Sequence, residues 1–589
     1  MLKGFIAALI AMVALYMGKQ SNTFDNIKKE EAIVYTVKSL LDYMHYAPKK
    51  VNDEFSAKYY VEYINNIDAL KRFLTEEDIA KLEKYKYDLD DQIIERKMDF
   101  FNLSYDLINN SIEKTRGIYS EILDKPFTFD SDEKLELDPK KRIRPKNDEE
   151  LKELWYKILK YEVLTRVVSK MEEQEKNKDK EQKSFEELES DARKRVKKIY
   201  DDMFKRIDKL RREDRFEVYI NSFTNMYDPH TEYFSPKEKE DFDIRMGGKL
   251  EGIGARLQVK DDYTKIISII PGGPAWKGKE LEAGDIILKV AQGDSDDFVD
   301  LTGMRIDDVV RYIRGKKGTK VRLEVKKQDG SIKIIEIIRD EVIIEETQAK
   351  SVILGLDNNI QNVGYIKLPS FYSEFTRGGN NCADDIKKEL NKLKAKNING
   401  IILDLRYNGG GSLGDVIKIG GFFIEKGPIV QVKPGKESPY IHSDNDISVE
   451  YDGPLVIMVN ELSASASEIL AAAMQDYNRA IIIGSKATFG KGTVQRFYDL
   501  DNMIRGADDV KPLGNLKITM QKFYRINGGS TQLKGVESDI VLPDNYMYVD
   551  VGEREYKNAM PWDKIAPVKY HQNVFQIKNK DEIIEKNKK

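Results

Sequence analysis

At 589 residues the chain is too long for one hydrophobic core and implies three or four domains. Its 97 Lys+Arg nearly balance 101 Asp+Glu, for a formal net charge of −4, which excludes the basic footprint of a nucleic-acid binder. Cys382 is the single cysteine, so an intramolecular disulfide is excluded and a thiolate zinc site disfavoured.

Residues 1–21 read as a signal peptide or N-terminal anchor. Met1-Leu2-Lys3 is a short basic leader, and Gly4 to Gly18 is an uncharged, mostly apolar run. A run of about 15 residues is short for a span of about 20 and suits a signal core. No Ala-x-Ala site follows, which leaves an uncleaved anchor open, and no cysteine follows to carry a lipid. The protein is expected to be exported, touching a membrane only through this segment.

Residues 22–238 read as a helical N-terminal domain, with apolar positions three and four apart between charges. Glu31 to His45, Ile79 to Leu107 and Leu151 to Glu173 are expected amphipathic helices. The Glu/Lys/Arg-dense stretch 171–215, free of Gly and Pro, reads as a long solvated helix with i,i+4 pairs. Asp138-Pro139-Lys140-Lys141 marks a basic loop between helices.

At Gly247-Gly248 the pattern changes to short strands broken by glycine turns, over residues 239–343. Ile266 to Ile270, Ile286 to Val290 and Val321 to Val325 are expected strands, with one helix from about Arg305 to Ile313. Gly252-Ile253-Gly254-Ala255 opens this block, and Pro274-Ala275 and Gly284-Asp285 mark its central turns. The module resembles a PDZ domain. The resemblance makes Gly252, Ile253, Gly254 and Ala255 the loop whose backbone N–H groups hold a C-terminal carboxylate, while the peptide adds a strand to the sheet edge.

Residues 344–545 alternate apolar strands of buried type (Gly400 to Leu405, Gly453 to Val459, Ala480 to Gly484) with helices at Asp384 to Lys394 and Ser467 to Asp476. This is an α/β domain, and the whole chain is a multidomain α+β protein. Residues 546–589 turn polar and lysine-rich, with Ala559-Met560-Pro561-Trp562 as the obvious apolar anchor.

The chemistry is expected in the α/β domain. Ser463-Ala464-Ser465-Ala466-Ser467-Glu468 opens an alanine-rich helix. Ser465 with Glu468 also forms a capping box, so a purely structural role is available. The helix N-terminus, however, offers free N–H groups and partial positive charge to a developing oxyanion, and the alanines leave room for a peptide backbone. Arg406 to Ser412, with Gly409-Gly410-Gly411, closes a buried strand; the Gly410 or Gly411 amide would complete an oxyanion hole with that of Ala466. Lys491, flanked by Gly490 and Gly492, is the candidate base, since desolvation lowers an ammonium's pKa. Gln495 lies four residues on and would orient its amine. None of the four histidines lies near this stretch of sequence, and there is no His-Glu-x-x-His or phosphate-loop motif; no metal or organic cofactor is implied.

Together these motifs resemble the tail-specific branch of the C-terminal processing peptidase family. The match runs through Asp228-Pro229-His230-Thr231, Leu250 to Ala255, Asp404-Leu405-Arg406 with Gly409 to Gly411, Ser463 to Asp476, Thr488 to Gln495 and Phe523 to Gln532. The resemblance implies a core related to the crotonase and Clp-protease folds, with Ser465 as nucleophile, Lys491 as general base and Gln495 as its orienting residue. It places Asp476 on an aspartate tied to activity, for which a supporting structural role is expected. It further implies substrates with apolar C-terminal tails, an envelope adaptor protein as a further partner, and a bacterial periplasmic or envelope location. Two departures stand out. Gly484 to Thr488 is one residue longer than the family pattern, so Ser465 and Lys491 are 26 apart, and 546–589 reads as a truncated C-terminal helical region. A catalytically silent PDZ scaffold is the main alternative; a crotonase-type acyl-CoA enzyme leaves the serine cluster and PDZ module without a role.

Overall fold

The computed structural model describes residues 29–587, apart from 178, 180, 181, 357–359, 375–378, 506, 507, 572 and 573. The expected leader at 1–21 therefore lies outside the described residues. The chain divides into two compact units, Met1–Pro236 with Arg496–Ile518, and Lys237–Gln495 with Thr519–Lys589.

The first unit is helical, as expected, and its core is aromatic. Tyr59, Tyr63, Phe100, Phe101, Tyr219 and Phe223 pack with ring centroids 5.2–6.4 Å apart in tilted and edge-on pairs. Two expectations change. The single helix at 79–107 is three, Glu76–Glu83, Leu89–Glu95 and Asp99–Leu123, interrupted by a turn after Lys84 and by Arg96 in the left-handed region (φ 60°). The charge-dense stretch breaks between Lys176 and Phe185, where Ser184 and Glu187 exchange capping hydrogen bonds of 3.3 and 2.8 Å.

In the second unit, the PDZ sheet has six strands, five in the order Ala255–Lys260, Tyr263–Ile269, Ile286–Gln292, Lys320–Lys326, Ile332–Ile338, and Val299–Asp300 paired off this path with Ile286–Gln292. Ala255–Lys260 is an edge strand, and the helix Ile306–Ile313 packs beside it with Val309 and Ile313 buried.

The α/β core is built on a six-stranded sheet whose spatial order is its sequence order: β1 (Lys350–Leu356), β2 (Ile360–Lys367), β3 (Gly400–Asp404), β4 (Leu455–Val459), β5 (Ile481–Gly484) and β6 (Ile540–Val541). β1 is antiparallel to β2; the other neighbours are parallel. Helices α1 (Cys382–Lys394), α2 (Leu413–Gly421) and α3 (Ala466–Asp476) contribute to one apolar core containing Ile401, Leu403, Ile457, Leu470 and Ile482. In β3, β4 and β5 one face is buried and the other partly covered, which accounts for their uninterrupted apolar runs. Lys367, Asp404, Met458, Ile483 and Ile540 lie in register across the sheet, so β2 to β6 end along one carboxyl edge. In open α/β sheets that edge is where sites form.

Beyond β6 the described residues form turns and irregular backbone, with a 3-10 turn at Glu553–Glu555 and an α-helix at Lys580–Asn587. Within the described residues, no helix is long and apolar enough to cross a membrane.

Candidate active site

The serine cluster leaves β4 at the carboxyl edge, and its three hydroxyls are not equivalent. Ser463 Oγ donates to Leu405 O (2.9 Å) and Ser467 Oγ to Asn408 O (2.9 Å), both fully buried. Those two serines tie the nucleophile loop to the turn after β3. Ser465, half-buried between them, has φ 57° and ψ −110°, outside the usual regions for an L-residue. Strain of this kind persists where the surroundings over-determine it, commonly at reactive sites.

The glycines after β3 are required by contact. A Cβ on Gly410 would lie 2.7 Å from Ser465 Cβ and 3.0 Å from Ala466 N, and one on Gly411 would lie 2.2 Å from Phe371 O. Both have positive φ, 100° and 143°. Gly410 N–H donates to Asn408 Oδ1 (2.9 Å), so in this conformation that amide is taken. The other expected oxyanion donors are the amides of Gly411 and of Ala466, the first residue of α3. Asn408, in the same turn, ties it to the serine loop. It is fully buried, donates Nδ2 to Leu368 O (2.9 Å), and its carbonyl receives Ala464 N–H (3.0 Å) as well as Ser467 Oγ.

Lys491 is brought beside Ser465 by a residue outside the expected set. Glu468 is fully buried, and its Oε2 accepts both Ser465 N–H (2.8 Å) and Lys491 N–H (2.9 Å). Its Oε1 accepts Thr488 Oγ (2.6 Å) and Gly490 N–H (2.7 Å). The two backbone nitrogens share one oxygen and so lie no further apart than two hydrogen bonds. Burial pushes the Glu468 carboxyl up to about 7, against the four donors that favour its charge. Thr531 Oγ donates to Lys491 O (2.9 Å) and Gln532 Oε1 receives Gly492 N–H (2.7 Å), fixing the far side of the loop. The loop before Lys491 is held where Ser485 N–H donates to Val459 O and Ser538 N–H to Lys486 O.

Gln495 is half-buried and gives its carboxamide N–H groups to Thr493 Oγ (2.8 Å) and Thr519 Oγ (3.0 Å). Its carbonyl oxygen is the group suited to an amine. Asp476 lies at the other end of α3, about 16 Å along an 11-residue helix from Ser465. It holds Arg525 (2.5 and 3.1 Å) and Asn527 (2.9 Å).

In the PDZ module, Gly252 ends a strand paired with Asp340–Ile343 in a separate two-stranded sheet, and Ala255 begins the edge strand of the main sheet. Gly254 has φ 77°, and a Cβ there would meet Gly273 Cα and Val342 at 3.3 Å. Ile253 is buried in the module's core; its carbonyl and that of Gly254 are taken by Ala275 N–H and Ile270 N–H. The carbonyls thus point into the module, and a turn held this way suits amides that face a ligand.

Four family descriptions match the chain: Tail specific protease N-terminal domain over residues 36–237, PDZ domain over 242–326, Peptidase family S41 over 362–542, and C-terminal domain of tail specific protease over 546–589. The tail-specific protease of Haemophilus influenzae is 38% identical over 539 residues, 91% of this chain and 73% of that protein. A probable CtpA-like serine protease of Staphylococcus epidermidis is 32% identical over 54% of this chain and 61% of its own length. Among solved structures, the PDZ domain of the Vibrio cholerae carboxy-terminal protease in complex with peptide is 48% identical, covering 16% of this chain and 97% of that one, with a TM-score of 0.15.

Proposed function

Because the chain belongs to the tail-specific proteases, PDZ-containing serine peptidases of family S41, we propose that it is an exported endopeptidase that captures apolar C-terminal tails on its PDZ module and cuts the attached polypeptide with a Ser465/Lys491 dyad. The observation that carries the dyad is the single Glu468 oxygen bonded to the amides of both residues, with Ser463 and Ser467 committed elsewhere.

Lys491, neutral, takes the proton from Ser465 Oγ as the oxygen attacks the scissile carbonyl carbon. The amides of Ala466 and Gly411 receive the negative charge on the tetrahedral oxyanion, and Gly410 joins them when the Asn408 carboxamide turns away. Collapse breaks the C–N bond, and the leaving amine takes its proton from the Lys491 ammonium. Water then hydrolyses the Ser465 ester with Lys491 again as base. Gln495 Oε1 holds the amine on line. The tail's carboxylate lies on the Gly252-Ile253-Gly254-Ala255 amides, and its last residues add a strand beside Ala255–Lys260. An envelope adaptor and an N-terminal membrane tether are compatible with this scheme, which leaves nucleic acid no role.

The test uses the chain without residues 1–21 and an unfolded reporter with an apolar tail. Ser465→Ala and Lys491→Ala each lower kcat by at least about 10³-fold while tail affinity stays within twofold. Full turnover in either variant assigns the chemistry to other residues. Tail binding without turnover in the wild type selects the silent scaffold.

A further inference from the structure

β6 ends on its last rung with β5. Leu542 N–H donates to Gly484 O (2.7 Å), at the end of β5. Four residues later, Tyr546 lies edge-on to Tyr407, with ring centroids 6.1 Å apart. Tyr407 follows β3, and β4 and β5 stand between β3 and β6. The segment therefore crosses the carboxyl ends of β5 and β4, the edge from which the Ser465 and Lys491 loops emerge. It then meets the lysine loop: Glu553 N–H donates to Phe489 O (2.9 Å), and the Tyr556 ring lies 6.3 Å from that of Phe489.

This crossing segment leaves large apolar side chains in solvent. Tyr548 is 91% exposed, Val549 53% and Met547 47%, and Tyr407 beside them is 51% exposed. Contiguous exposed apolar groups beside a cleft mark an interaction surface. Tyr407 also has φ 67°, a left-handed backbone that a bulky side chain does not favour. Asn460 Oδ1 holds its N–H (2.9 Å), and the next residue is the buried Asn408. The ring stands outside the core, edge-on to Tyr546 and with Lys367 Nζ 5.8 Å from its centroid, so one face stays open to a ligand.

We propose that Tyr407 and residues 542–556 form an apolar wall of the catalytic cleft that binds the extended apolar stretch of an unfolded polypeptide flanking the bond to be cut. This rests on the Ser465/Lys491 reading. The occupant is the substrate chain itself, because the wall is continuous with the loops that carry both residues. Apolar side chains spaced along an open edge match the alternating side chains of a strand. Selection therefore acts twice, at the tail through the PDZ module and at the cut through this wall.

Two unfolded reporters with one shared apolar tail test it, the stretch before the tail rich in Leu, Val and Phe in one and in Ser and Asp in the other. The wild type cleaves the apolar reporter with about tenfold higher kcat/KM, and Tyr407→Ala and Tyr548→Ser each bring that ratio to within about twofold, while Tyr407→Phe keeps it. Tail affinity and melting temperature stay unchanged in the fully solvated Tyr548→Ser variant. A wild-type ratio near one, or a ratio unmoved in Tyr407→Ala and Tyr548→Ser, overturns the wall. Turnover retained in Ser465→Ala overturns the dyad instead, and the ratio still judges the wall.

Discussion

At the scale of single residues, Glu468 decides how the site behaves with pH. As a carboxylate it accepts four donors; protonated, it loses acceptor capacity at one oxygen and loosens either the Ser465–Lys491 bridge or the Thr488–Gly490 pair. Its folded pKa of about 7 lies above the ordinary carboxylate value of 4.5. The folded state therefore binds the extra proton between those values, and the group's stabilising effect, complete below about 4.5, is lost as pH rises through about 7. Activity moves the opposite way, because the ionised form holds both loops. We expect kcat to rise through about pH 7 while the melting temperature falls, and Glu468→Gln to flatten the stability change and cut kcat at least about tenfold. Parallel pH profiles of kcat and melting temperature check this; a melting temperature that rises through pH 7 in the wild type contradicts it. The serine and lysine motifs were legible in the sequence. The role of Glu468 was not, because the capping-box pattern accounts for only its bond to Ser465, and the other donors arrive twenty residues later.

At the scale of elements, α3 is fixed at both ends by different chemistry. Its N-terminus is held through Glu468, and its C-terminus through Asp476, whose side chain is 7% exposed and paired with Arg525 at 17%. Asp476→Asn leaves the guanidinium half-buried without its charge partner, at a cost of about 2 to 4 kcal/mol. The expected result is a clear drop in melting temperature, with turnover below the transition reduced far less than in Ser465→Ala. A melt identical to wild type, with turnover abolished, gives Asp476 a direct part in the chemistry. Elements were read unevenly from the sequence. The apolar runs of β3, β4 and β5 are legible within two residues, since parallel strands covered on both faces, one of them fully, write a local signal. The helix expected over 79–107 failed because periodicity continues across its breaks, while Arg96 in the left-handed region carries no Gly or Asn marker. The break at 177–184 did carry one, the Ser184–Glu187 capping box, hidden in a run of charges.

At the scale of the whole molecule, long-range closure escapes a local reading. Residues 496–518 lie in sequence within the protease core yet cluster with the helical unit. The C-terminal region is a second case. Read as a polar remnant with one anchor, residues 558–577 instead bind the core at several points. Trp562 Nε1 donates to Ser530 O (2.8 Å), Gln431 Nε2 to Ala566 O (3.1 Å) and Tyr570 OH to Asp476 O (2.6 Å). Asp563 takes Lys522 Nζ (2.5 Å) and Tyr524 OH (3.0 Å). Lys522 is 2% exposed, and burial lowers its pKa against the pull of Asp563. Its partners, Asp563 and the Pro561 carbonyl, both come from this segment. Deleting residues 558–589 therefore strands an ammonium and uncovers the end of α3 at once. Asp563→Asn, which removes only the charge, should cost about 2 to 4 kcal/mol, and the deletion substantially more. Adding Lys522→Met to Asp563→Asn should recover most of the loss, because an apolar side chain of similar length needs no partner there. Melting curves of the three variants decide it: a double variant no more stable than Asp563→Asn means that the segment holds the core by packing and not by that ion pair.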